Sequence, residues 1–292
     1  MASIQFTYQA DFNPANTVVQ SWDGMATFPD RSQAYAFGPS PIIPGLFSVF
    51  KLGAPETGIL FADKARGSIT IGDYSVSADF SDNTGSVDLT GGLRGDVLTG
   101  GSNRDILKGG GGDDALSGGG SHDILEGGAG ADALDGGSGS DWASYENASS
   151  AVRVYLNPAS AGNMAGDASG DLFVSIENIR GSAYGDVLVG DAGNNVLEGG
   201  AGADFINGDG GFNTVTYANS SAGVNVNLLT GVNSGGDAAD DYALINIQGL
   251  RGSLHDDVLT GDNANNVLNG LGSDGPLGDA LLGMGGNDRL LT

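Results

Sequence analysis

From Gly91 to Ser144 the sequence divides into six consecutive blocks of nine residues with none left over: GGLRGDVLT, GGSNRDILK, GGGGDDALS, GGGSHDILE, GGAGADALD and GGSGSDWAS. Every block has Gly at positions one and two and Asp at six, and five of the six have Leu at eight, the exception being Ala143. A period this strict points to a β-helical solenoid, in which each block is one turn and one short strand stacked on its neighbours. The glycine-rich front half tolerates positive φ, and the last three residues form the strand. Side chains alternate across a strand, so Leu98, Leu107, Leu116, Leu125 and Leu134 share one face and form a core. Two nonapeptides then close one rung.

Stacking places equivalent aspartates about 4.8 Å apart, at a cost of roughly 1 to 3.5 kcal/mol per like-charged pair for an effective dielectric between 80 and 20. The whole chain is acidic, with 36 Asp plus Glu against 11 Lys plus Arg and a net charge of −25, which argues against a nucleic-acid partner. Yet 39% of its residues are hydrophobic, and disorder does not need such regular spacing of Leu, Ile and Asp. The chemistry calls for a cation. With no cysteine, thiolate sites and disulfides are excluded and oxygen ligands remain. Calcium accepts six to eight oxygens, and glycine turns expose carbonyls beside each carboxylate; magnesium, smaller and octahedral, fits less well.

The blocks closely resemble the hemolysin-type RTX repeat, GGxGxDxUx, which GGGGDDALS and GGAGADALD match completely; the resemblance extends over residues 87–292 with varying fidelity. It implies an all-β fold, a right-handed parallel β-roll, with calcium held between neighbouring turns by loop carbonyls and position-six aspartates. On that basis the ligands are Asp96, Asp105, Asp114, Asp123, Asp132 and Asp141. Position four departs from Gly at Arg94, Asn103 and Ser121; Asn tolerates left-handed backbone, whereas Arg94 and Ser121 disfavour it, so Asp114, Asp132 and Asp141 rank highest. A second cluster over residues 181–216 centres on Asp186 and Asp204, with Asn195 and Asn213 at position six, where a neutral amide completes the turn by itself. A third, over 252–291, loses register through GLGS and offers Asp257, Asp279 and Asp288.

The intervening segments 145–180 and 217–251 are also related: YENASSAVRVYL and YANSSAGVNVNL lie 72 residues apart. Val152, Val154 and Leu156, like Val224, Val226 and Leu228, alternate as strands, so these inserts are expected to continue the sheets as longer rungs with acidic loops. His122 and His255 occupy variable turn positions and read as solvated turn residues rather than zinc ligands.

Composition changes near residue 86. Before it lie 12 of the 21 aromatic residues and six of the eight prolines but only 8 of the 53 glycines, and the net charge is −4 against −21 after it. Alternation at Ile4, Phe6 and Tyr8, at Ile69 and Ile71, and at Val76, Ala78 and Phe80 predicts strands, so residues 1–86 are expected to form a small β domain of binding or capping role ahead of the roll at 87–292. Trp22, Phe28, Tyr35 and Phe37 could present a sugar-stacking face, although a β core accounts for them more simply. An enzyme with its catalytic site in residues 1–86 and the roll as accessory is the alternative. Against it, the chain has neither the HExxH of serralysin-type proteases nor the GxSxG of RTX lipases, and it is too short ahead of the repeats for the catalytic domain of the alginate epimerases whose accessory modules the repeats also resemble. Asp11, Asp23, Asp30 and Glu56 show no pairing pattern that would suggest glycoside chemistry.

No basic and apolar leader opens the sequence, and the stretch Ile42 to Leu52, broken by Pro44, is far short of a membrane span. The resemblance implies type I secretion by a signal after the repeats; only Leu291 and Thr292 follow Leu290, so that signal is expected inside the last repeats or beyond a truncation. The expectation is therefore a secreted, non-enzymatic protein that folds on several calcium ions outside the cell, with an extracellular polysaccharide or cell surface as a further partner.

Overall fold

The computed structural model describes residues 80, 81, 85–159 and 164–292, together with the backbone of the strands named below within the first 79 residues. The chain separates into two compact units, one of Met1–Ala143 with Asp171–Ile176 and one of Ser144–Gly170 with Glu177–Thr292.

In the first unit the nonapeptides stack as parallel strands on two sheets. Leu89, Leu107 and Leu125 pair in sequence on one sheet, and Leu98, Leu116 and Leu134 on the other, at steps of 18 residues. Two nonapeptides therefore make one rung, as the spacing requires. Leu98, Leu107 and Leu125 have no exposed surface, so position eight is the core row. The turns between the strands stack just as closely. Gly110 and Gly119, at position two, have φ of 104° and 99°, and a Cβ on either would collide with the carbonyl oxygen of Gly92 or Gly101 in the preceding rung. Only glycine serves there.

Parallel pairing begins ahead of residue 87. Arg66–Thr70 pairs in parallel with Val87–Thr90, and Val76–Asp79 lies between Thr57–Phe61 and Val97–Thr99, parallel to both. Antiparallel pairing is found further out: Ala2–Gln9 with Asp23–Phe28 and Arg66–Thr70, and Ser48–Phe50 with Ala36–Phe37 and Thr57–Phe61. The strands expected around Ile4, Ile69 and Val76 are present, but the compact unit has no break at residue 86. The side chains of residues 1–79 lie outside the described residues, among them Trp22, Phe28, Tyr35, Phe37, Asp11, Asp23, Asp30 and Glu56.

In the second unit the same step of 18 recurs at Ile179, Leu197 and Val215 and at Leu188 and Ile206. The inserts lengthen it. Val154 pairs with Leu188, Ile206 with Leu244, Val215 with Leu250 and Val226 with Leu259, so a rung containing an insert spans 33 to 38 residues while its strands keep to the sheets. Val152, Val154, Val224 and Val226 are buried, which follows from their alternation. The GLGS segment is absorbed without loss of pairing: Leu259 joins Leu281, and Leu268 joins Leu290, both 22 residues on, four more than a regular rung. Among the described residues no helix is long and apolar enough to cross a membrane.

Candidate metal centre

Each turn brings its position-six carboxylate inward. Asp96, Asp105, Asp114, Asp123, Asp132, Asp141, Asp186, Asp204 and Asp257 are all buried, the most exposed at 3%. One oxygen of each of several of these is held by the rung before it. The N–H of Asp96 donates to Asp114 Oδ1 at 2.6 Å, that of Asp105 to Asp123 Oδ1 at 2.7 Å, that of Asp114 to Asp132 Oδ1 at 2.8 Å, and that of Asp123 to Asp141 Oδ1 at 2.7 Å. In the second unit Asp186 donates in the same way to Asp204 at 2.8 Å and Asp257 to Asp279 at 3.1 Å, while Asn266 donates to Asp288 at 2.9 Å. The aspartates thus form ladders parallel to the leucine rows, with a backbone donor for each step.

The other oxygen distinguishes two kinds of turn. In closed turns the position-two N–H caps it: Gly92 on Asp96 at 2.8 Å, Gly101 on Asp105 at 2.6 Å, Ser182 on Asp186 at 2.6 Å and Ser253 on Asp257 at 2.7 Å. In open turns the position-two glycine has positive φ, 104° at Gly110, 99° at Gly119 and 88° at Gly200, and its N–H no longer reaches the carboxylate. The Oδ2 atoms of Asp114, Asp123 and Asp204 are then buried without any hydrogen-bond donor. A buried charged oxygen left in that state carries a large desolvation penalty.

The titration of these groups reflects that penalty. Burial pushes Asp114 up to about 7, reinforced by the charges of Asp132, Asp96 and Asp113 and opposed by the Asp96 N–H. Burial likewise pushes Asp123 to about 7, with Asp105 and Asp141 adding to it, and Asp204 to about 8, with Asp241 and Asp186 adding to it. Asp105 and Asp186 are raised as well, by burial, against the donors that cap them.

Carbonyl oxygens converge on the same points. A Cβ at Gly109 would overlap both Asp114 Oδ2 and the carbonyl of Gly127, and one at Gly118 would overlap Asp123 Oδ2 and approach the carbonyl of Gly136. The missing side chain of the first glycine thus leaves room where a carboxylate oxygen and a carbonyl from the next rung meet. Among the described residues no three His, Cys, Asp or Glu side chains gather as a cage, so an ion here has to draw part of its shell from the backbone. An all-oxygen set mixing carboxylate and carbonyl suits calcium.

The RTX calcium-binding nonapeptide repeat family matches the chain in four copies, at residues 90–125, 109–143, 180–215 and 250–274. These are RTX calcium-binding repeats. No curated protein is similar enough to the chain to count as a match. RTX nonapeptides bind calcium, and the residues present fit the ion: donor-free carboxylate oxygens, adjacent carbonyls and a stack of like charges for it to neutralise.

Ser121 adopts the left-handed φ of 83° that its side chain disfavours, and Asp123 in the same RTX turn is as open as Asp114, so position four ranks the turns less sharply than glycine preference implies. Asn195 and Asn213 complete their turns through their amides: Asn195 Oδ1 accepts from Asp191 N–H at 3.0 Å, and Asn213 Nδ2 donates to the carbonyl of Gly210 at 2.8 Å. Asp279 and Asp288 are only half-buried. His122 accepts from Ser140 N–H through Nδ1, and His255 Nδ1 lies 2.9 Å from Asp274, so both serve their turns. Two ladder positions carry no nonapeptide signature. Asp171 and Asp241, in the inserts, take the position-six place, accepting from the N–H of Asp132 at 2.9 Å and of Asp204 at 3.1 Å. The available signal was an aspartate just ahead of an apolar strand, GDLFV and DDYALI, without the glycine front.

Proposed function

We propose that the chain is a secreted, non-enzymatic RTX protein in which calcium is the folding ligand of the roll. Asp114, Asp123 and Asp204 lead the ligand set, and Asp96, Asp105, Asp132, Asp141, Asp186, Asp257, Asp279 and Asp288 occupy equivalent places in the ladders. The observation that carries this reading is the buried, donor-free Oδ2 of Asp114, Asp123 and Asp204, stacked on further carboxylates. Bound calcium supplies the positive charge that lets these carboxylates ionise together in a dry interior. The protein's own groups orient the carboxylates through the rung-to-rung N–H donors and exclude water with the leucine rows.

Folding that waits for calcium suits a protein that leaves the cell unfolded and meets the ion outside, and the acidic, cysteine-free composition is compatible with that route. Residues 1–86 are the part with a different composition, and we assign them a capping or binding role toward an extracellular polysaccharide or cell surface. Calcium isotherms of Asp114→Ala and Asn195→Ala test the ligand assignment. Asp114→Ala is expected to lose bound calcium and Asn195→Ala to retain it; equal losses would show that position-six chemistry does not decide binding.

A further inference from the structure

We infer that the second insert completes a calcium site of its own, in which Asp241 joins Asp204 as a ligand pair and the Tyr217 hydroxyl fixes Asp241 in place. The site rests on the calcium reading of the neighbouring turns, but Asp241 and Tyr217 lie outside every matched repeat, between the copies at 180–215 and 250–274.

The geometry is that of a carboxylate pair without a counter-charge. Asp204 has no exposed surface, and its Oδ2 is buried without a donor. Its N–H donates to Asp241 Oδ1 at 3.1 Å, which sets Asp241 on the next step of the ladder. Asp241 is 3% exposed, and its Oδ2 accepts from Tyr217 Oη at 2.8 Å; Tyr217 is itself buried. The two carboxyl groups thus stand on consecutive steps of one ladder, and the charge of Asp241 adds to burial in raising Asp204. Two carboxylates so placed in a dry interior do not both ionise unless a cation offsets their charge. Among the described residues neither forms a salt bridge with a lysine or arginine.

A third negative charge favours the cation. Asp237, on the 3-10 turn Gly236–Ala238, is near enough for its charge to act on both Asp241 and Tyr217. Asp237 also lines a cavity of about 250 Å3 together with Gly200 and Ala201 of the turn that carries Asp204. Part of the arrangement recurs in the first insert, where Asp171 accepts from the N–H of Asp132 at 2.9 Å and the 3-10 turn Gly166–Ala168 precedes it in sequence as Gly236–Ala238 precedes Asp241. An insert therefore does more than lengthen a rung: it supplies the acidic residue that ends a stack of nonapeptide sites.

The test uses the full chain with calcium and with terbium as a luminescent calcium substitute. Calcium bound per chain is counted by equilibrium dialysis for the wild type, Asp241→Asn and Tyr217→Phe, and terbium emission is excited through tyrosine. Asp241→Asn is expected to weaken one ion by about tenfold or more while the others stay, because affinity follows ligand charge. Tyr217→Phe keeps both carboxylates and the ring volume but frees Asp241, and is expected to weaken the same ion by about tenfold and to lower the sensitised emission. If the wild type binds calcium but both variants keep its full stoichiometry, affinity and emission, a proton rather than a cation neutralises the pair and this site is overturned. If the wild type binds no calcium, the reading of the neighbouring repeats fails instead.

Discussion

Two glycines in one turn differ only in what a methyl group would meet. At Gly109 an added Cβ overlaps Asp114 Oδ2, approaches Asp114 Cγ at 2.6 Å and the carbonyl oxygen of Gly127 at 2.6 Å. The carbonyl is backbone and cannot swing away, so the carboxylate has to move. That breaks the 2.6 Å bond from Asp96 N–H to Asp114 Oδ1 and leaves a buried donor, a loss of about 1–3 kcal/mol, with a further 1–3 kcal/mol or so from overpacking. Gly109→Ala should therefore cost about 2–6 kcal/mol in saturating calcium and should also weaken calcium binding. At Gly111 the nearest atom to an added Cβ is Leu93 Cα at 3.5 Å, and the paired residue in the next rung is already Ala129. Gly111→Ala should be neutral or stabilise by about 0.4–1 kcal/mol through the unfolded chain. Thermal melts in calcium read the contrast, at roughly 2–4 °C per kcal/mol for a domain of this size. Equal melting temperatures for the two variants would refute the idea that the first glycine makes room for the carboxylate.

The acidic ladders give the calcium-free chain an inverted pH dependence. Because the folded pKa values of Asp114 and Asp123 are raised to about 7 and that of Asp204 to about 8, their contribution to stability is complete below the unfolded value of 3.8 and is lost as pH rises through 7 to 8. In EDTA the far-UV β signal should therefore be greatest near pH 5 and fall as pH rises to about 8.5, where the roll is largely unfolded without calcium; a flat profile contradicts the burial of these carboxylates. In the leucine rows, Leu125→Ala at a site with no exposure should cost about 2–5 kcal/mol in calcium, whereas Leu290→Ala, 47% exposed on the last rung, should cost well under that. Urea melts of the pair decide it, and similar losses would show that the last rung is packed like the interior.

How far the sequence discloses this molecule depends on which residues carry the repeat. The nine-residue period gives the strand, the core leucine, the inward aspartate and the step of 18, because each is tied to a fixed residue type in every block. It does not separate closed turns from open ones. Gly92 and Gly110 both stand second in a glycine pair, yet one caps its aspartate and the other has turned away to positive φ. Asp171 and Asp241 were hidden for a related reason: they occupy ladder positions through rung stacking, in segments that have lost the glycines marking a turn. The parallel pairing of Arg66–Thr70 with Val87–Thr90 has no nonapeptide signature either, so the shift in composition at residue 86 gave no hint that the sheets continue across it. The GLGS segment breaks the sequence period but not the pairing, since four residues fit in a loop without moving the strands that follow.

The claim that calcium folds the roll is tested most directly by a far-UV circular dichroism titration of the chain, stripped with EDTA and then returned to increasing free calcium or magnesium. Coupled sites on stacked rungs should respond together, because each rung gains stability from its neighbours and each site adds RT ln(1 + [L]/Kd), about 2.7 kcal/mol at a hundredfold excess over Kd. The account predicts that most of the β signal appears abruptly over a narrow range of calcium and that magnesium substitutes poorly. A full β spectrum in EDTA at mildly alkaline pH, where the carboxylates are ionised, or equal responses to the two ions, would contradict it.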